Sequence, residues 1–405
     1  MLMFYGWVLA AVAFLVLMLS NGAIMYSYSV VAVPMGLEFE ASRLVMMLGV
    51  TLMTLCGGIV SPWFGSLVDR WSLKGMMLLG AIGMSFGYVV LSFTTASWQV
   101  PVVYGMFMML GTNLLGPLTT STLLARWFTK KRGMAMGVAA VGTSVGGFIF
   151  PPLIQTLIDH YEWRIALRYL GAGLFLVSVP AVLLVVNRPQ DRGLHADGEL
   201  MDAQYAPPNV PAVSFGELLR NRNFILIAIV MSLLFMTYTG VMSNMAPFAM
   251  GRGLSADEAA LLISAIAVAG VVGKLIFGAV ADKIDLRVGL AASMITVIMS
   301  MLILLSMTGY NALMLGAALL GLAAGGMLPV WGSILAVLFG SANYGRVMGM
   351  MNPLIMPLTL VGAPLAGYIF DTRGAYDGAF LLFAGGLCIG LALLFAIDMN
   401  KRAEG

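Results

Sequence analysis

The feature that most restricts the fold is a succession of twelve long apolar segments along the 405-residue chain. About 20 mostly apolar residues in a helix cross the hydrocarbon core of a bilayer. Of all residues 60% are hydrophobic and 10% are charged, whereas soluble domains carry about 25% charged residues. Because backbone groups in lipid need hydrogen bonds within their own segment, we predict an all-α integral membrane protein with twelve transmembrane helices. The predicted spans are residues 7–33, 43–67, 75–95, 99–125, 133–158, 165–186, 223–249, 258–281, 288–308, 311–338, 347–370 and 377–397.

The basic residues alternate between the two sides of these spans. Fifteen of the 21 lie in one set of connections and five, Arg43, Arg164, Arg168, Arg252 and Arg373, lie in the other. Loops rich in lysine and arginine stay cytoplasmic, so both termini are predicted inside, in a multi-pass protein of the plasma (inner) membrane. The first stretch, "MLMFYGWVLAAVAFLVLML", has no basic region or cleavage site and is expected to be a retained span.

A polar segment, residues 187–223, separates six spans from six. It predicts an N-terminal six-helix bundle at 1–187, a cytoplasmic linker at 188–221 and a C-terminal six-helix bundle at 222–405. Within the linker, "SFGELLRN" is consistent with a short amphipathic helix.

The two halves repeat one motif between their second and third spans, "GSLVDRWSLKG" and "GAVADKIDLRVG", in which the glycines and the aspartates share one offset. Glycine allows close helix approach, and aspartate at a helix end can pair with the following cations or face a neighbouring helix N-terminus. We predict a cytoplasmic gate; the alternative is a solvated turn. The residues assigned to the gate are Gly65, Asp69, Arg70, Lys74, Gly278, Asp282, Lys283 and Arg287. A second pair of similar segments, "RGMAMG" and "GRVMGM", has nearly the same offset.

The one basic residue outside both sets is Lys274, which lies roughly 12 Å from the cytoplasmic end of its span at about 1.5 Å per residue. An ionisable residue at such depth usually faces a water-filled cavity or a partner. The acidic residues of the spans lie at or near their ends, which favours a substrate anion as the counter-charge. The alternative is a lysine that is hydrogen-bonded to backbone carbonyls or neutral.

Other polar and aromatic residues within the spans are further candidates for substrate binding. Tyrosine hydroxyls and amides donate to carboxylate oxygens, and aromatic rings form the wall for an apolar tail. Each of them alone is also compatible with packing or an interfacial position. The candidates are Tyr26, Tyr28, Asn113, Tyr238, Trp331 and Asn352.

With its paired G-x-x-x-D-[RK] loops and its six plus six spans, the whole chain resembles a major facilitator superfamily transporter. "GAIMYSYSVVAVPM", "RWFTKKRGMAMGVAAVGTSVGG", "EWRIALRYLGAG", "RPQDRGLHADGE" and "PVWGSILAV" resemble segments of the oxalate/formate antiporter-like and monocarboxylate transporter groups. The resemblance supports Tyr26 and Trp331. It also implies that Lys274, four residues before Gly278, receives the substrate carboxylate.

The sequence departs from these groups at two places. Asn352 and Pro353 stand where oxalate-type carriers have a lysine, which argues against a doubly charged substrate. Gly270 stands where some monocarboxylate transporters have an acidic residue, so coupling to a proton, to an exchanged anion or to neither remains open.

The predicted function is therefore secondary transport of a small organic anion, most simply a monocarboxylate, by alternating access, in a monomer within the lipid bilayer. The alternative is export of hydrophobic compounds or drugs by the same superfamily. No cofactor is predicted, and the two cysteines and two histidines have no metal-ligand spacing. Motifs for a nucleotide, a catalytic triad or a nucleic acid are missing from the sequence, which argues against an enzyme or a nucleic-acid-binding protein. A sensor would need an appended signalling domain.

Overall fold

A computed structural model describes residues 4–41, 43–199 and 213–399. Within these ranges the secondary structure is helical and contains no strand, so the predicted all-α fold is confirmed. Residues 200–212 of the predicted linker, and Lys401 and Arg402 of the basic C-terminus, lie outside the described residues.

Fifteen α-helices follow one another in the described residues. They are α1 (Tyr5–Ser20), α2 (Tyr28–Glu38), α3 (Arg43–Arg70), α4 (Leu73–Leu91), α5 (Gln99–Val103), α6 (Met109–Leu114), α7 (Pro117–Trp127), α8 (Arg132–Leu183), α9 (Phe215–Arg220), α10 (Arg222–Gly251), α11 (Ala256–Ala281), α12 (Leu286–Ser306), α13 (Tyr310–Phe339), α14 (Tyr344–Arg373) and α15 (Asp377–Phe395). Two π-helices, Asn21–Tyr26 and Tyr104–Met108, connect α1 to α2 and α5 to α6.

Eleven helical segments of the described chain are long and apolar enough to cross a membrane. The 52-residue α8 contains two residues with non-helical backbone angles, Tyr161 and Glu162. This break divides α8 into two parts that match the predicted fifth and sixth spans. Counting them separately gives the twelve predicted spans.

The chain forms two compact units. Unit 1 comprises Met1–Val210 and Ser341–Gly349, and unit 2 comprises Pro211–Gly340 and Met350–Gly405. Unit 1 thus includes the first turn of α14, which the predicted boundaries assign to the C-terminal bundle. The reason is local, since Gly65 of α3 packs directly against the backbone of Gly345 and Gly349.

Close helix contact in unit 1 positions the π-helix of the first span. Gly142 and Gly146 lie one turn apart on α8, and a Cβ atom on either would collide with a backbone carbonyl of α1. Gly22 in the π-helix packs against Gly146. Glycine has no side chain, so two helices in a membrane can pack closely where glycines meet. This glycine contact therefore places Tyr26 beside α8.

In unit 2, glycines bring α11 and α13 together over several turns. A Cβ atom on Gly273 would collide with the Leu322 carbonyl, and one on Gly321 with the Ile266 carbonyl. A Cβ atom on Gly325 would lie 2.5 Å from the backbone nitrogen of Lys274. The backbone of Lys274 is therefore held against α13.

Because the α11–α13 contact excludes even one methyl group, we expect Gly321→Ala to destabilise the protein by about 1–3 kcal/mol. A matched control is Gly385→Ala in α15, where a Cβ atom meets nothing within 4 Å. The melting temperatures of the two purified variants in detergent test this expectation. Equal melting temperatures would contradict the tight packing.

Candidate functional site

Helix α11 has three distinguishable faces, and Lys274 lies on the third. One face packs against α13 and includes Leu262, Ile266, Gly270, Gly273 and Phe277. A second face exposes large aliphatic side chains, namely Leu261, Val268, Val272, Leu275 and Ile276. The third face carries Ser264, Ala267, Val271 and the half-buried Lys274 at helical spacing. The residues that precede Lys274 on this face have shorter side chains than those of the aliphatic face.

Trp331 of α13 is buried, and its indole nitrogen lies 3.3 Å from the sulfur of Met351. Its ring also meets Phe235 edge to face, with a centroid distance of 6.1 Å. Two other candidates, Tyr238 and Asn352, are half-buried near these partners, one turn after Phe235 and directly after Met351. Trp331 of α13 thus contacts α10 and α14, the two helices that carry Tyr238 and Asn352.

In unit 1 the two candidate tyrosines have different environments. Tyr26, at the end of the π-helix, is 50% exposed, and its ring packs against Gly147. Tyr28 is 3% exposed, and its hydroxyl donates a hydrogen bond to the Met46 carbonyl. Its ring meets Tyr104 edge to face at 4.8 Å. Tyr28 has a packing role here, and Tyr26 is the accessible tyrosine.

Asn113 of α6 is half-buried and lies shortly after the second π-helix. Its amide nitrogen donates to the Met109 carbonyl at 3.1 Å. Gly57 of α3 makes room for this amide, since a Cβ atom there would lie 2.6 Å from the nitrogen. Tyr26 is the last residue of one π-helix, and Asn113 lies in the α-helix that follows the other. Such π-helical turns are frequent at functional sites.

The first gate motif centres on Asp69, which is buried at the end of α3. Its carboxylate accepts hydrogen bonds from the backbone nitrogens of Gly345 and Arg346, at 3.1 and 2.7 Å, in the first turn of α14. The partial positive charge of that helix N-terminus favours a carboxylate. A guanidinium nitrogen of Arg126 lies 3.5 Å away, and both side chains are under 10% exposed.

Of the two arrangements considered for the aspartate, the structure shows Asp69 facing a neighbouring helix N-terminus. Its charged neighbour is Arg126, whereas Arg70, which follows Asp69 along the chain, is exposed. Helix α7 carries Arg126 towards the end of α3, where it also donates to the Val68 carbonyl at 3.0 Å. Sequence reasoning counted Arg126 only as a basic loop residue. Its position at the end of the fourth span was the available signal.

The last cation of each motif instead caps the final helix of its own half. Lys74 donates to the Leu183 carbonyl at 2.5 Å, and Arg287 donates to the Ile397 carbonyl at 3.0 Å. Cations at a helix C-terminus interact favourably with its carbonyl groups. The two repeated motifs therefore share this contact in the structure as well as their spacing in the sequence.

The second gate motif adds an ion pair that the sequence analysis missed. Arg287 pairs with Asp285 at 2.6 Å, and Asp285 also caps α12 by accepting from the Arg287 backbone nitrogen. The hydrogen bond from Arg287 lowers the pKa of Asp285. The pair therefore contributes at neutral pH and is lost only as the pH falls through that lowered pKa. Of the other predicted members, Gly278 is buried, Asp282 directly follows α11 and Lys283 is exposed.

Replacing the acidic residue of each motif by its neutral amide is expected to reduce the stability of the protein by different amounts. Asp69→Asn leaves the buried Arg126 without its charge partner, so we expect a loss of about 2–3 kcal/mol. Asp285→Asn keeps a good helix cap and breaks a partly exposed pair, so we expect a loss of at most about 1 kcal/mol. Melting temperatures of the two variants measure the difference. A larger loss for Asp285→Asn would contradict it.

Comparisons with known proteins agree with this architecture. The family model described as Major Facilitator Superfamily matches residues 10–273 and 227–404. Monocarboxylate transporter 13 of Bos taurus is 27% identical over 97% of this chain and 91% of its own length. Monocarboxylate transporter 11 of Homo sapiens is 26% identical over 93% of this chain and 80% of its own length.

Solved structures show the same fold. The human organic anion transporter MFSD10 superimposes with a TM-score of 0.74 at 15% identity, covering 96% of this chain and 99% of its own. The E. coli fucose:proton symporter FucP gives a TM-score of 0.70 at 15% identity, covering 98% and 99%. With the family model matching most of the sequence, the chain belongs to the Major Facilitator Superfamily of membrane transporters.

Proposed function

We propose that this protein carries a small monocarboxylate across the membrane by alternating access and that Lys274 binds the carboxylate. The observation that carries the proposal is the position of Lys274, within a membrane span and on the face of α11 built from small side chains. The names of the relatives, monocarboxylate transporters, support the substrate class.

The charge of the site is the physical argument for a singly charged substrate. A cation within the membrane carries a large desolvation cost, and a bound carboxylate offsets it through an attraction that is stronger than in water. One ammonium group balances one carboxylate. A dicarboxylate would bring a second charge, and α14 carries Asn352 where the resemblance to oxalate-type carriers would place a second lysine.

Other residues would shape the site around the carboxylate and the body of the substrate. Trp331, held by Phe235 and Met351, is proposed as an apolar wall. Tyr238 and Asn352, on the two helices that Trp331 contacts, are proposed as polar contacts. In unit 1, the accessible Tyr26 and Asn113 are proposed as further hydrogen-bonding residues. Tyr28 is proposed only to support Tyr26, because its hydroxyl already donates to Met46.

Alternating access requires contacts that close the cytoplasmic side in one state and break in the other, and the gate motifs contain candidates for such contacts. We propose that the hydrogen bonds of Asp69 to the first turn of α14 hold the cytoplasmic side closed and are released when that side opens. The proposed setting is the plasma membrane, with both termini in the cytoplasm and a monomer as the working unit. This orientation follows from the distribution of basic residues.

Transport by purified protein in proteoliposomes tests the role of Lys274. We expect Lys274→Ala to lower the initial rate of acetate, lactate or pyruvate uptake at least tenfold, since the counter-charge is lost. Lys274→Arg should retain part of the activity. Leu275→Ala, on the exposed aliphatic face of the same helix, is the matched control and should behave as the unaltered protein. Unchanged uptake in the alanine variant would contradict the assignment.

Ligand-induced stabilisation tests the substrate class. A compound that binds the folded protein raises its melting temperature. We expect monocarboxylates to do so in the unaltered protein, dicarboxylates to do so less, and neither to act on Lys274→Ala. Stabilisation by lipophilic cations that persists in Lys274→Ala would instead support drug export.

A further inference from the structure

At the end of the first span, one cluster of hydrogen bonds joins three segments of unit 1. Glu38, the last residue of α2, accepts from Arg164 at 2.6 Å and from the Trp163 indole at 2.7 Å. Arg164 also donates to the Thr94 carbonyl, just beyond α4, at 2.8 Å. The cluster thus connects α2, the region after α4 and the part of α8 that follows its break.

The corresponding end of α10 carries a similar cluster within unit 2. Arg252, directly after α10, lies 3.3 Å from Asp377, the first residue of α15. The same guanidinium group lies 3.4 Å from the Leu305 carbonyl, near the end of α12. The cluster therefore joins the first, third and sixth spans of the second half, as the cluster of Glu38 joins those of the first half.

The two clusters are related by the sequence offset that relates the gate motifs, and their charges are exchanged. The shift along the chain that carries the first motif onto the second also carries Arg164 onto Asp377, and it carries Glu38 onto the residue directly before Arg252. In the first half the acid lies on the first span and the arginine on the sixth. In the second half the arginine lies at the end of the first span and the acid on the sixth.

A proline precedes each cluster by about one turn. Pro34 lies in α2 and Pro247 in α10, and the same shift along the chain relates them. Proline cannot donate a hydrogen bond to the carbonyl four residues earlier, and its ring crowds that carbonyl, so it weakens the turn that precedes it. The last turn of each first span keeps backbone hydrogen bonds of its own, such as those from Phe39 to Met35 and from Arg252 to Phe248. It is joined to the rest of its span through the turn that proline weakens, so side-chain contacts to neighbouring spans help to fix its position.

We propose that the two clusters are a duplicated clasp of reversed polarity that holds the last turn of the first span of each half, beyond the turn that proline weakens. The clasp depends on opposite charges at two equivalent positions and tolerates either arrangement of them. Glu38, Arg164, Arg252 and Asp377 are then positioning residues for the spans that begin the two halves. This inference stands independently of the proposed role of Lys274.

The surroundings of the second clasp leave room to exchange its charges. A cavity of about 380 Å³ borders it, and Pro247, Phe248, Tyr376 and both charged residues are among the residues that line it. The guanidinium group introduced by Asp377→Arg therefore has space to reach the carboxylate introduced by Arg252→Asp. The exchanged pair would reproduce the polarity that the first half already uses.

Spin-label mobility at the two turns is the direct test. In a background with Cys56→Ser and Cys388→Ser, one label is placed at Leu37→Cys and another, in a separate protein, at Met250→Cys; both positions are exposed. We expect Asp377→Asn to increase the mobility of the label at 250 and not at 37. Glu38→Gln should increase it at 37 and not at 250.

The double variant Arg252→Asp with Asp377→Arg should return the label at 250 to its restricted spectrum, whereas each single change should not. Mobility unchanged in Asp377→Asn, or no recovery in the double variant, would overturn the clasp. Increased mobility at both labels in a single variant would also overturn it, since the effect would then belong to the whole fold. These readings require no transported substrate.

Discussion

The structure depends on one constraint, that backbone polar groups in the hydrocarbon core must find their hydrogen bonds inside their own helix. Helices whose backbone hydrogen bonds are complete gain no hydrophobic free energy by associating in lipid, so they associate through close packing. Gly142 and Gly146 on α8, and Gly273 and Gly321 at the α11–α13 crossing, supply the necessary backbone approach. These contacts place the π-turn of Tyr26 and the backbone of Lys274.

The same constraint explains where the charges lie. At the predicted cytoplasmic ends, Asp69 contacts the N-terminus of α14, while Lys74 and Arg287 contact carbonyls at the end of the last helix of each half. At the opposite ends, Glu38 and Arg252 hold the last turns of the first spans. Among the basic residues, only Lys274 is predicted far from both sets of ends. This exceptional position is why it carries the proposed function.

Much of the fold was predictable because it follows from composition and repetition. Span positions depend on runs of apolar residues, and the matched offset of the motifs around Asp69 and Asp282 reveals duplication without any contact information. The partners of individual side chains were not predictable in this way. Arg126 reaches Asp69 from a different helix, and the hydroxyl of Tyr28 is engaged by the backbone of Met46, so neither relation leaves a local pattern in the sequence.

By itself, the sequence determined that this is a twelve-span member of its superfamily with a lysine inside one span, because hydropathy and motif spacing are properties of the chain alone. Only the tertiary structure decided which face of α11 carries Lys274, which tyrosine is accessible and which charges pair. These depend on helix rotation and on contacts between segments far apart along the chain, such as the hydrogen bond from Arg126 to Val68. The clasps show the distinction, since the equivalent residues Arg164 and Asp377 have opposite charges and only their three-dimensional pairing reveals a common role.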